Sequence, residues 1–88
     1  MLMGIVKGMV VSTQKDEHLV GTKLLVVQAV DSSHKPLRDE EVAVDAVGAG
    51  VGEYVLLCQG SSARNVFNDP KMPVDLVVVG IIDKQPED

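Results

Sequence analysis

Apolar residues fall in short runs separated by polar, glycine- or proline-bearing gaps, the rhythm of strands joined by turns. Met3 to Val11 predicts a first strand, with Gly4 and Gly8 on the face shared by Val6 and Val10 at a period of two. Glycine twice on one face permits strong coiling or close backbone approach. Ser12 to Gly21 is polar and reads as a loop. Lys23 to Asp31 predicts a second strand in which Leu24, Val26 and Val30 alternate with Leu25, Val27 and Ala29. Both of its faces are therefore apolar.

Ser32 to Glu40 carries His34, Pro36 and mixed charges, as an exposed loop does. Val42 and Val44 mark a short third strand ending at Asp45, and Val47 to Gly52 is a glycine-rich turn. Glu53 to Gln59 predicts the fourth strand, stopped by Gly60. Ser61 or Ser62 can cap a short helix through Ala63, Arg64, Asn65 and Val66, which must end before Pro70. Val74 to Asp83 predicts the fifth strand. The expected fold is mainly β: a small five-stranded OB-like β-barrel with one short α-helix. It forms one domain over residues 1–83, followed by a flexible charged tail over 84–88.

Size changes the picture. A domain of 88 residues has a marginal core and needs a staple of some kind. Cys58 is the only cysteine, which rules out an internal disulfide. His18, His34 and Cys58 lack the spacing of metal ligands, so no metal and no cofactor is expected. Association with further copies of the chain remains, and it would cover the second apolar face.

Hydrophobic residues make up 45% of the chain and aromatics 2%, namely Tyr54 and Phe67, so the apolar content is aliphatic and suits strands packed on both sides. A net charge of −5 opposes nucleic-acid binding, which needs a basic stripe and, for single strands, stacking aromatics. A nucleic-acid or ligand-binding OB-like module is the alternative reading, and it lacks both features. The longest apolar runs are too short to span a bilayer, so no membrane partner is expected. Met1 to Val11 reads as no signal peptide, and with a lone thiol this suggests the cytoplasm.

No catalytic constellation can be assembled. Cys58 lies in an apolar strand with no adjacent cation to lower its pKa and reads as structural. His18 and His34 sit in different polar loops without a nucleophile beside them. Gly48-Ala49-Gly50-Val51-Gly52 has the spacing G-x-G-x-G and precedes a strand, whereas the dinucleotide loop is G-x-G-x-x-G and opens a helix. A tight turn needing positive φ fits it better. Asp45, Glu53 and Asp75 are scattered over strand ends. Gly60-Ser61-Ser62-Ala63-Arg64 is a strand stop and helix start whose free N–H groups would favour anions or polar solutes.

Several blocks together resemble the EutN/CcmL vertex proteins of bacterial microcompartments. They are Met3-Gly4-Ile5-Val6, Gly8 to Thr13, Leu19 to Leu25, Ala43 to Gly50, Gly52 to Leu56, Gly60 to Arg64, and Pro73 through Asp83. The resemblance covers nearly the whole chain, and the D-x-V-G-A-G-x-G-E and G-S-S-A-R blocks are its most specific parts. It implies a non-catalytic homo-pentamer of OB-like barrels that caps the five-fold vertices of a polyhedral shell tiled by hexameric shell proteins. It also implies a narrow axial opening, for which Gly60, Ser61 and Ser62 are the lining candidates by their small size. Arg64, Gly48, Gly50 and Glu53 are the candidates for the subunit interface. The loop Ser32 to Glu41 departs from the family in carrying more charge and less glycine.

Overall fold

The computed structural model describes residues 1–11, 22–60, 63 and 75–83. Its strands are β1 (Leu2–Met9), β2 (Lys23–Val30), β3 (Glu41–Asp45), β4 (Tyr54–Gln59) and β5 (Leu76–Ile81). They close into a barrel in the order β1-β2-β3-β5-β4, with β4 pairing back onto β1. Every neighbouring pair is antiparallel except β3 with β5, which is parallel. The five expected strands are present, each within three residues of its expected ends where those ends are described. Of the expected short helix only Ala63 is described, and it is helical. The tail 84–88 and the loop 12–21 lie outside the described residues.

Alternation decides which side chains fill the barrel. Leu25, Val27 and Ala29 of β2 are fully buried, and they meet Val6, Ala43, Val55, Leu57, Leu76 and Val78 from the other four strands. The interior has room for few large groups, so it mixes leucines with small residues. Gly4 is the extreme case. A Cβ there would come within 2.6 Å of Leu57 Cδ1 and 3.1 Å of the Gln28 carbonyl oxygen.

The two glycines of β1 do not share a face. The register slips between Val6 and Gly8, where Val6 faces Val27 and Gly8 faces Val26, leaving Lys7 as an extra, exposed residue. Such a bulge puts the strand out of step with a simple period of two. Gly8 therefore lies opposite Val26, whose neighbours Leu25 and Val27 are the inward pair. A Cβ at Gly8 would meet nothing within 4 Å, so close approach belongs to Gly4 alone of the two.

The outer faces are also partly apolar. Val44 and Val77 are buried outside the barrel under Ala63, with Leu24 and Val79 packed beside them. Beyond this second cluster Val42 and Leu56 remain uncovered, at 53% and 38% exposure.

Candidate assembly surface

The turn between β3 and β4 is organised by two carboxylates. Asp45 ends β3 with its side chain 1% exposed. Its Oδ1 accepts hydrogen bonds from the N–H groups of Val47 and Gly48, both at 3.0 Å, and its Oδ2 accepts from Ala49 at 2.9 Å. Three converging N–H donors form a pocket for negative charge, and the chain fills it with its own side chain. Lys23 faces Asp45 across the β2–β3 ladder. Its Nζ lies 3.6 Å from Asp45 Oδ2 and donates to the Ala49 carbonyl at 2.9 Å. The result delivers Ala49 into the core, where it is fully buried.

Glu53 repeats the device at the end of the turn, where its Oε1 accepts from the Gly50 N–H at 2.6 Å. Gly52 then donates to the Val6 carbonyl at 2.8 Å, and the Val6 N–H donates to the Glu53 carbonyl at 3.0 Å, which sews the turn to β1. Gly48 and Gly52 have φ of 85° and 91°, a region that suits glycine. The G-x-G-x-G segment is therefore a strand-to-strand turn, occupied by the chain's own carboxylates. Of the expected interface residues here, Gly48, Gly50 and Glu53 all lie in this turn, and Glu53 stays exposed while holding Gly50. Val47 and Val51 project from the same turn with their side chains exposed.

The second candidate region starts where β4 ends. Gly60 has φ of 72°, donates to the Asp75 carbonyl at 3.1 Å and accepts from the Ala63 N–H at 3.0 Å. Ala63 is fully buried against Val44 and Val77. Gly60 thus turns the chain out of β4 and Ala63 pins it to the outside of the β3–β5 seam. Ser61, Ser62 and Arg64 lie outside the described residues, as does His18.

The loop that departs from the resemblance is more tightly built than its charge suggested. Asp31 Oδ1 accepts from the N–H groups of Ser33 at 2.8 Å and Lys35 at 2.9 Å, and the Asp31 carbonyl accepts from His34 N–H. His34 takes a left-handed φ of 67°. Its ring stacks on Tyr54 with centroids 4.2 Å apart and an interplanar angle of 24°. The pair joins the 31–40 loop to the first residue of β4. Arg38 adds bonds to Glu41 at 2.6 Å and to Gln59 at 3.1 Å. An aspartate opening a turn is a readable signal for the first part, whereas nothing local in sequence brings His34 to Tyr54 or Arg38 to Gln59. Cys58 is half-buried on β4, and among the described residues no three His, Cys, Asp or Glu side chains group as a metal site.

Comparison with known proteins adds the context. The family model described as ethanolamine utilisation protein EutN/carboxysome matches residues 1–83. The bacterial microcompartment shell vertex protein PduN of Salmonella typhimurium is 56% identical over 82 residues, which cover 89% of this chain and 90% of that protein. The carboxysome shell vertex protein CcmL of Gloeobacter violaceus is 52% identical over 83 residues, covering 94% and 83%. Among solved structures, the GrpN pentameric microcompartment shell protein from Rhodospirillum rubrum is 46% identical, with a TM-score of 0.85 and 99% of each chain covered.

Proposed function

The chain belongs to the EutN/CcmL family, and from that premise we propose that it is a structural, non-catalytic subunit of a bacterial microcompartment shell. Five copies form a ring that caps a vertex, where the flat array of hexameric shell proteins has to close, within the bacterial cytoplasm. The observation that carries this reading is the match of residues 1–83 to the family, joined to the full-length likeness to a pentameric shell protein. The barrel's own chemistry supports it. Its turn carboxylates are occupied by backbone N–H groups, and the outer faces of β3 and β4 leave Val42 and Leu56 uncovered, as a subunit with neighbours would.

In this reading Gly60, Ser61 and Ser62 line the axial opening. Support comes from the residues on either side: Gly60 turns the chain out of β4 and Ala63 packs outside the β3–β5 seam. Arg64, Gly48, Gly50 and Glu53 belong to the subunit contact, and residues 84–88 form a tail beyond the barrel.

Light scattering coupled to size exclusion tests the ring. Five copies of 9.4 kDa give a particle of about 47 kDa. A particle of that mass is the expected result, and a stable monomer or hexamer at micromolar concentration overturns the pentamer. A crystal structure of the ring with Ser62 away from the five-fold axis would remove the opening while leaving the vertex role standing.

A further inference from the structure

The barrel closes through one parallel ladder, β3 with β5, and it is the shortest of the five: Val44 faces Val77 and Asp45 faces Val78. Parallel pairing is slightly weaker per residue than antiparallel, so this seam is where the closed sheet parts most easily. Beside the packing of Ala63 on Val44 and Val77, Arg38 links β3 to β4, the two strands that flank β5. Arg38 Nε donates to Oε2 of Glu41, the first residue of β3, at 2.6 Å. Arg38 Nη2 donates to Oε1 of Gln59, the last residue of β4, at 3.1 Å. Gln59 faces Leu76, the first residue of β5. The Arg38 carbonyl meanwhile accepts from Gln28 Nε2 of β2 at 3.1 Å.

We propose that Arg38 is a positioning residue, a strap from β3 to β4 past the start of β5 that makes the charged 31–40 loop and the chain's exit from β4 at Gly60 move as one unit. The guanidinium fork is what allows this. Two of its nitrogens, held at a fixed angle, reach two acceptors on different strands, and a lysine ammonium on its flexible stem has no such geometry. Arg38 and Glu41 side chains are 42% and 35% exposed, so the pair adds little to global stability. Its effect is on where the next residue goes. Gly60 follows Gln59 directly and holds the Asp75 carbonyl, and the segment it opens is the one assigned above to the axial opening. That consequence rests on the ring reading, whereas the strap does not.

Native-state hydrogen exchange at low ionic strength separates the two. The Gly60 amide, bonded to Asp75 O, and the Ala46 amide, bonded to Val78 O across the seam, report local opening. In Arg38→Lys both are expected to exchange roughly three- to tenfold faster, while amides of the β1–β2 ladder keep their rates. Gln59→Ala should give the same pattern, and the double variant should add nothing to either single one. Equal acceleration in every ladder would reduce Arg38 to a general stabiliser and overturn the proposal. So would unchanged exchange at Gly60 and Ala46, or additive effects in the double variant. Particle mass, measured on the same samples, reads the ring independently.

Discussion

Gly48 and Gly50 stand two residues apart in one turn and answer to different constraints. Gly48 has φ of 85°, where a Cβ is strained whatever space surrounds it, while Gly50 has no positive φ and a Cβ there would meet Glu53 Oε1 at an ordinary 3.5 Å. Gly48→Ala is therefore expected to lower unfolding free energy by about 1 kcal/mol or more. Gly50→Ala should stay within about 0.5 kcal/mol of the parent. Urea titrations of the two variants side by side check the contrast, and equal losses would mean that the turn conformation is not what holds Gly48. Asp45 carries more. Replacing it with alanine leaves the N–H groups of Val47, Gly48 and Ala49 without their acceptor and removes the ion-pair partner of Lys23. A loss of about 2–4 kcal/mol is expected in the same titration, with Asp45→Asn falling between, since an amide oxygen still accepts. An alanine variant as stable as the parent would show that water replaces the carboxylate freely.

At the level of elements, strand positions were legible because most inward residues recur at a period of two and the apolar runs are bounded by glycine, proline or charge. β2 shows this most clearly, with Leu25, Val27 and Ala29 inside as their spacing predicts. The period failed at Lys7, where a bulge adds one residue without any mark in composition and Gly8 changed faces as a result, and again in β5, where the register with β4 shifts between Val78 and Gly80. The two apolar faces of β2 were legible as a demand for a second cover. What supplies part of it was not, since Ala63 reaches Leu24, Val44 and Val77 through tertiary packing that no local pattern encodes. The turn carboxylates were seen as scattered acids for the same reason: Asp45 and Glu53 gain meaning only when the turn curls its N–H groups toward them. The outer cluster gives its own prediction. Ala63→Asp places an unpaired carboxylate against buried Val44 and Val77, at a cost of about 2–4 kcal/mol. Thermal unfolding should register it as a lowered Tm, and an unchanged Tm would show that Ala63 lifts off the barrel without loss.

For the whole molecule, the decisive quantity is how much of its stability is its own. A barrel this small encloses a short list of aliphatic side chains, and a single core of that size supplies only a few kcal/mol. Uncovered valine and leucine on the barrel's outer face then become an advantage when a neighbour covers them, because binding that favours the folded form adds to its stability by mass action. Val42 tests this at one point. It lies on β3 opposite Val26, with its side chain over half exposed, so glutamate there costs the isolated barrel little. In a ring that covers β3, the same glutamate buries a charge at the contact, a loss of several kcal/mol at each of five identical contacts. Val42→Glu is thus expected to shift the particle from the ring toward monomer. It should also make the Tm fall on dilution through the micromolar range, where the parent's does not. If the variant keeps the ring mass and a dilution-independent Tm, the β3 face looks outward in the assembly and the subunit contact lies elsewhere on the barrel. A monomeric variant that retains a cooperative transition would show that the barrel folds first and the ring follows from its outer face.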